Sequence, residues 1–437
     1  MGFTAIEKVL ARTSGRPNVR AGDVVHPDPD MVMIHDGVIR EIKIKMDEIG
    51  INRIRDPDKL MMVTDHEVVY GNQRSADKGV FNRKAAAEWK AGQFYDAGRG
   101  GHGHIFPMEQ GMVLPGMFYF DNDTHATNAG AVGAFGLRVG SEIARVLATG
   151  TTWVQVPKTV KLELKGRLRN GVQARDIGFY FARLVKSGEL PIDLDYRVLE
   201  YAGDLDQFSL GARVALCSTP TEMRAAGVFI PPSDEILAYC KAQAKKPFEP
   251  VYSDPDAEYE SCHVLDLNAV EPQVSRPGNV GNAVDVSDVV GTEISHAFIG
   301  SCGSGMYSDL LAAASVLKGK KVASGARLII VPGSEQSMKR MTEEGLMQIF
   351  LEAGAMVMPA GCGPCNDAVV GPVGAGEVSI STATNNNIGR FGSNEASLYL
   401  GSPLTVAASA VTGKISDVRN VSLDAALFDR MEAAYVI

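Results

Sequence analysis

An α/β fold with mostly parallel sheets is the fold class that this chain predicts, on three observations. Short apolar runs of strand length alternate with helical patterns. From Ser295 the order reads strand, turn, helix, strand, helix, strand, and such a βαβα rhythm implies parallel pairing. Several runs end in a turn that carries Asp, His or Cys, and in open α/β sheets catalytic and binding groups gather at that carboxyl edge. The third observation is length: 437 residues exceed one ordinary core and imply two to four domains.

Composition narrows the function classes. Hydrophobic content of 45% and charged content of 22% are those of an ordinary globular protein. A net charge of −9 argues against nucleic acid, whose phosphates need a cationic face. No run approaches the ~18 apolar residues of a membrane span. The N-terminus carries charges through its apolar part, unlike a secretory signal, and Gly2 lacks the downstream serine or threonine of a myristoylation site. A soluble protein of the reducing cytoplasm is expected.

Taken in order, the elements are these. Val24-Val25, Met31–Ile34 and Leu60–Thr64 are strand-length apolar runs, and the last delivers Asp65-His66. Ala76–Ala91 reads as a helix with Ser75 as its cap. The glycine-rich run Gly98–Phe106 contains His104. Val113–Phe120 is apolar with an internal Pro-Gly turn and leads into Asp121-Asn122-Asp123-Thr124-His125. The small residues Ala129–Ala134 permit a close backbone approach. Ser141–Ala148 reads as a helix capped by Ser141, Thr159–Leu164 as a half-buried strand, and Ala174–Val185 as an amphipathic helix. Residues 247–262 are the most linker-like stretch. Beyond Ser295 come a strand at Ala297–Ile299, a helix at Tyr307–Leu317, a strand at Arg327–Val331, a helix at Met341–Ala353 and a strand at Ala355–Met358.

Two motifs carry chemistry. Ile299-Gly300-Ser301-Cys302-Gly303-Ser304-Gly305 closes a strand, and Gly361-Cys362-Gly363-Pro364-Cys365 closes another about sixty residues later. The first fits neither a dinucleotide loop nor a P-loop. The second alone could be a redox pair or half of a zinc ribbon, but no second pair exists. Iron–sulfur ligation accounts for all three cysteines: three thiolates are one short of the usual four, which leaves one iron open to substrate or water. Cys217, Cys240 and Cys262 read as buried small apolar residues. Among the histidines, His66 and His125 each have a carboxylate beside or two residues before them, and His104 lies in the glycine loop. Carboxylate–imidazole pairing raises basicity and fixes the tautomer, as general acid chemistry requires.

Together these pieces resemble the aconitase superfamily, nearest the large subunits of the isopropylmalate dehydratase and homoaconitase type. Asp65-His66 resembles the family's catalytic pair, Gly103-His104 through Glu109-Gln110-Gly111 its next histidine motif, and Asp123-Thr124-His125 its Asp-Ser-His-Thr. Glu222 occupies the place of a family glutamate, Cys302, Cys362 and Cys365 match the cluster ligands, and Ser402-Pro403 through Gly413 match the C-terminal signature. The resemblance implies three α/β/α sandwich domains around a central [4Fe–4S] cluster, here 1–155, 156–283 and 284–437. It implies a hydro-lyase acting on a small hydroxy-dicarboxylate, with His66 supported by Asp65 as the acid, Asp123 paired with His104, and Glu222 paired with His125. The family's base is a serine on a swivelling domain. That domain does not follow the signature here, so a small partner subunit supplying the base is expected, in a heterodimer or heterotetramer.

The departures bear on substrate. The family continues Cys-Thr-Asn-Ser-Arg where this chain has Cys302-Gly303-Ser304-Gly305-Met306, so Ser304 replaces an asparagine. Thr124 replaces a serine. Asn-Arg-Asn-Phe-x-Gly-Arg becomes Asn385-Asn386-Asn387-Ile388-Gly389-Arg390, which leaves Arg390 but loses the first carboxylate-binding arginine. Arg40 stands where relatives carry proline or glutamine and is expected to restore the charge. Isopropylmalate isomerisation is the default by resemblance, and the departures point to an atypical relative acting on maleate, citraconate or a dimethylmalate. The rival readings are a non-catalytic or RNA-binding scaffold of the same fold, and a zinc or thiol enzyme on another α/β fold.

Overall fold

Strands that are apolar on both faces need cover on both faces, and this requirement organises the chain. The structure, a computed structural model, describes residues 1–365 and 370–433. The chain forms two compact units: residues 1–163, 194–202 and 224–263 make the first, and residues 164–193, 203–223 and 264–437 the second. The stretch 156–283 is thus shared between them.

The first unit is built on a five-stranded, all-parallel sheet in the order Gln93–Tyr95, Leu60–Val63, Met31–His35, Phe118–Asp121, Phe135–Arg138. Leu60–Val63 and Phe118–Asp121 are buried at every position. Ile34, Met62, Phe118 and Phe120 form a core with Val9, Leu10, Ile42, Trp89 and Val146 from the surrounding helices. From Met31–His35 the winding runs first to one side and then to the other, so the sheet reverses between Met31–His35 and Phe118–Asp121. Such a reversal opens a crevice at the carboxyl ends of the strands.

The second unit holds a seven-stranded sheet in the order Ala283–Asp285, Gln273–Ser275, Ser397–Gly401, Val378–Ser381, His296–Ile299, Arg327–Ile330, Met356–Val357. Its last five strands are parallel and its first two pair antiparallel. Here the reversal lies between His296–Ile299 and Val378–Ser381. A further four-stranded sheet orders Gly227–Phe229, Arg197–Gly203, Lys158–Lys165 and Ser261–Asp266. Lys158–Lys165 alternates buried and partly exposed positions as expected of a half-buried strand. The mostly parallel α/β architecture predicted above is the one observed.

Several local expectations change. The helix Gln73–Trp89 starts earlier than its apolar pattern, because Asn72 is the cap: Asn72 Oδ1 accepts from the Ser75 N–H at 3.0 Å, and Ser75 Oγ accepts in return from the Asn72 N–H at 3.3 Å. Ser141 caps nothing; it sits in a 3-10 turn before the helix Ile143–Thr149. The single helix expected at Met341–Ala353 is two, Glu335–Glu343 and Leu346–Ala353, broken where Gly345 takes φ +82°. The linker-like 247–262 is packed: Ser253 and Tyr259 donate to Glu200 at 2.7 and 2.8 Å. Cys262 is exposed, whereas Cys217 and Cys240 are buried. The close approach expected of the small-residue segment occurs at Gly130, where an added Cβ would meet the Val228 carbonyl at 2.0 Å.

Candidate active site

At the reversal in the first unit, three neighbouring strands each end in a titratable pair. Met31–His35 delivers His35-Asp36, Leu60–Val63 leads through Thr64 to Asp65-His66, and Phe118–Asp121 delivers Asp121 with Asp123 beyond it. The glycine-rich loop adds His102 and His104. Gly103 lets this loop close over His35, since a Cβ there would lie 2.5 Å from His35 Cε1. The Gly103 N–H donates to Asp65 Oδ2 at 2.8 Å.

Asp65 is the hub and is fully buried. Its oxygens lie 2.9 and 3.0 Å from His35 Nδ1 and 3.0 Å from His66 Nδ1. Asp36 Oδ1 also lies 2.9 Å from His66 Nδ1, and Asp36 accepts from the backbone N–H of His66 and Glu67. His104 Nε2 is 3.2 Å from Asp121 Oδ2, and His35 Nε2 is 3.5 Å from Asp121 Oδ1. Asp123 accepts from the His125 N–H at 3.2 Å and so starts the 3-10 helix Thr124–Val132. Thr124 Oγ1 is 3.3 Å from His125 Nδ1.

Burial alone would raise Asp65, but the His35 and His66 imidazoles and their hydrogen bonds outweigh it and hold the carboxyl well below its ordinary range. Asp121 is lowered against its burial by His35 and His104. His35 is raised well above the ordinary histidine value: burial opposes the charge, and Asp65 and Asp121 overcome it. His102 is pushed down to about 3 by burial, against the pull of Asp65, and is neutral.

Asp65, His66, His104, Asp123 and His125 therefore gather in one cluster, but the pairing is finer than expected. His66 shares its Nδ1 between Asp65 and Asp36. The carboxylate bonded to His104 is Asp121; Asp123 lies 3.9 Å from His104 Nδ1. Sequence reasoning missed His35, Asp36, His102 and Asp121 as members. The signal was present in His35-Asp36, which closes a strand-length apolar run as Asp65-His66 does. Arg40, in the helix Ile39–Glu48, is exposed, and its guanidinium lies over the Phe81 ring at 5.9 Å.

In the second unit, Cys302 leaves the strand His296–Ile299 through Gly300 at φ +152° and Ser301 at φ +71°. A left-handed serine costs about 1–2 kcal/mol, which the surroundings must offset. Thr382 Oγ1 clamps the turn, accepting from the Gly300 N–H at 2.9 Å and donating to the Gly300 carbonyl at 3.0 Å across the sheet reversal. The two cysteine loops rest on one strand exit. A Cβ on Gly300 would meet the Val331 carbonyl at 2.5 Å, one on Gly363 would meet Val331 Cγ2 at 2.6 Å, and the Gly361 N–H donates to the Pro332 carbonyl at 3.2 Å. Cys302, Cys362 and Cys365 are all buried and unbridged. Cys365 Sγ is 3.8 Å from Thr384 Oγ1.

Arg175, which sequence reasoning passed over inside an amphipathic helix, is 1% exposed and belongs to this sulfur site. It donates to the Ala383 carbonyl at 2.7 Å and to Thr219 Oγ1 at 3.4 Å. Burial lowers its pKa, opposed by Cys302, Cys365 and Glu222. Gly303 packs on it, with room for no Cβ: one would come within 2.9 Å of Arg175 Nη1. Among the described residues its buried Nε has no hydrogen-bond partner. Asn385 donates to Glu222 Oε1 at 3.2 Å. Ser304 is buried and donates to the Gly303 carbonyl at 2.7 Å, and Arg390 is half-buried.

Three buried thiols, none in a disulfide, on two glycine-rich loops beside a buried cation fit a cluster held by three thiolates: the sulfurs supply soft anionic ligands, and Arg175 offsets their charge. In the first unit His35, His104 and Asp121, and likewise His35, Asp65 and His66, place ligand atoms within 4.8 Å of one another. Those atoms already hydrogen-bond or ion-pair among themselves, the pattern of an acid–base cluster.

Each unit thus carries chemistry at its strand ends, acid–base groups in the first and thiols in the second. The Aconitase family (aconitate hydratase) matches residues 7–413, so the chain belongs to this family. Aconitase-family hydro-lyases generally use a [4Fe–4S] cluster. Among proteins of similar sequence are the 3-isopropylmalate dehydratase large subunit 1 of Methanopyrus kandleri, 38% identical over 96% of this chain and 99% of the relative, and the probable methanogen homoaconitase large subunit of Methanosarcina mazei, 37% identical over 90% and 99%. Aconitase X of Thermococcus kodakaraensis, in its holo-form, shares the fold at TM-score 0.53 over 93% of this chain and 95% of its own, with 11% identity. Among the described residues no helix is long and apolar enough to cross a membrane.

Proposed function

We propose that the chain is the large, catalytic subunit of an iron–sulfur hydro-lyase that adds or removes water on a small hydroxy-dicarboxylate. The observation that carries this reading is the trio of buried, unbridged thiols at Cys302, Cys362 and Cys365 on two glycine-rich strand exits. The relatives' names favour an isopropylmalate- or homoaconitate-type acid, and the changed residues around Ser304 and Asn385 favour a maleate, citraconate or dimethylmalate type. The three-domain division at 1–155, 156–283 and 284–437 belongs to the same reading, as does a cytoplasmic location.

When bound by these three cysteines, a [4Fe–4S] cluster supplies an iron without a protein ligand, a Lewis acid toward a hydroxyl. The chain's own residues do the rest. His66 gives its proton to the departing hydroxyl, which leaves as water as the carbon–oxygen bond breaks. Asp65 and Asp36 fix the His66 tautomer by holding Nδ1–H, so that Nε2 faces the reaction. His104 with Asp121 and Asp123 orients substrate polar groups and relays protons, and His125 and Glu222 each take the roles that the family resemblance gives them. Thr124, Ser304 and Asn385 position substrate and its neighbours, while Arg390 and Arg40 are the cations for the carboxylates. The small subunit supplies the base that takes the proton from carbon.

The test is anaerobic reconstitution of the chain with a small subunit of this family, screened on hydroxy and unsaturated diacids by enoate absorbance. Brown protein with about four iron and four sulfide per chain, and turnover of one diacid, is expected. Colourless protein, full turnover after exchange of all three cysteines for serine, or zinc in place of iron overturns the reading.

A further inference from the structure

One buried histidine has no part in the chemistry above. His35 is wholly enclosed at the end of the central strand of the first unit. Both ring nitrogens face carboxylates: Nδ1 lies 2.9 and 3.0 Å from the Asp65 oxygens, and Nε2 lies 3.5 Å from Asp121 Oδ1. Its ring centroid is 4.6 Å from that of His104 and 5.4 Å from that of His66. The other charged or titratable groups that bear on it are Asp123, His102 and, through His66, Asp36.

An ionised carboxylate only accepts hydrogen bonds, so a ring nitrogen facing one needs a proton. Neutral imidazole has one proton for two nitrogens. Either tautomer would therefore aim a lone pair at Asp65 or at Asp121, in a place that water does not reach. Only the imidazolium donates to Asp65 through Nδ1 and at the same time places positive charge beside Asp121, which Nε2 meets as an ion pair at 3.5 Å with no hydrogen bond formed among the described residues.

We propose that His35 is a positioning residue: a permanent buried imidazolium that bridges Asp65 and Asp121 and so joins the His66 and His104 halves of the cluster into one chain, His66–Asp65–His35–Asp121–His104. While His35 carries its charge, Asp65 divides its pull between two imidazoles. Without that charge, the whole pull of Asp65 falls on His66, which holds its proton more tightly and is the poorer acid. The protonation of His35 is a property of the chain by itself; the effect on turnover rests on the hydro-lyase reading.

Two measurements test this. In the full chain labelled with nitrogen-15 histidine, one of the eight histidines keeps both ring nitrogens protonated at a pH well above the ordinary histidine value of about 6.5. That signal is absent in His35→Gln and persists in His66→Gln and His104→Gln, so the assignment holds even if His35→Gln does not fold. A bare nitrogen on His35 at that pH overturns the proposal. In the reconstituted assembly, His35→Gln lowers kcat by about tenfold or more with KM changed less than about threefold, and moves the alkaline limb of the kcat profile upward by about half a unit or more. Equal loss at every pH would mean a packing role and would also overturn it. Turnover of no diacid, with the NMR signal present, would remove the hydro-lyase reading and leave the charge on His35 standing.

Discussion

His66 and Asp36 show how much a single neighbour can decide. With His66 as the acid, His66→Gln lowers kcat by about 10²–10⁴-fold while substrate still binds, read as a split between kcat and KM. Asp36→Asn keeps an acceptor near Nδ1 and leaves Asp65 in place, so a loss of only about tenfold is expected. Arg390→Ala raises KM by about tenfold or more through loss of a carboxylate partner. Arg40→Ala should do the same if it serves the second carboxylate, and an unchanged KM would confine Arg40 to its stack on Phe81. At Asp309, burial outweighs the Met306 N–H bond and the nearby Arg175 and raises the carboxyl to about 7. Its raised folded value favours the protonated form, so this stabilisation is full below the unfolded carboxylate pKa of about 3.9 and declines as pH rises toward 7. Asp309→Asn should therefore gain more Tm, relative to the parent, at pH 8 than at pH 5.

The loops are the elements on which the site depends. Gly103→Ala forces a Cβ to 2.5 Å from His35 Cε1, and the loop or the ring must shift. Overpacking of this kind costs about 1–3 kcal/mol, visible as a lower urea midpoint with an unchanged slope. The strand-end cluster also sets a pH window for stability. His35 has a raised folded value, so its contribution is full below about pH 6.5 and is lost as pH rises through that folded value. Asp65 and Asp121 have lowered folded values, so theirs is full above about pH 3.9 and is lost on acidification. Denaturant titrations of the first unit's unfolding from about pH 3 to 10 should show a plateau between these limits, and in His35→Gln the alkaline shoulder should disappear.

For the whole molecule, the reading is of one subunit in a two-chain enzyme. Reconstituted alone, the chain should hold iron and sulfide yet turn over no diacid, and addition of the small subunit should restore turnover in proportion to complex formed. Measurable turnover by the isolated chain would remove the need for a partner-supplied base. Iron content with the partner omitted separates loss of the cluster from loss of the partner.

The sequence by itself determined the fold class, the placing of the three cysteines at strand exits and most of the histidine cluster. Those features are written locally: apolar runs of strand length set the parallel sheets, and a cysteine or an Asp-His pair just after such a run is placed at the carboxyl edge by the strand. Tertiary structure decided the partners. His35 and Asp121 meet because the sheet reverses between their strands, which are far apart in sequence. Arg175 reads as one more polar residue of an amphipathic helix until the fold encloses it beside Gly303 and Ala383. Which carboxylate holds which imidazole is a matter of tenths of an ångström between elements, and residue order sets only the elements themselves.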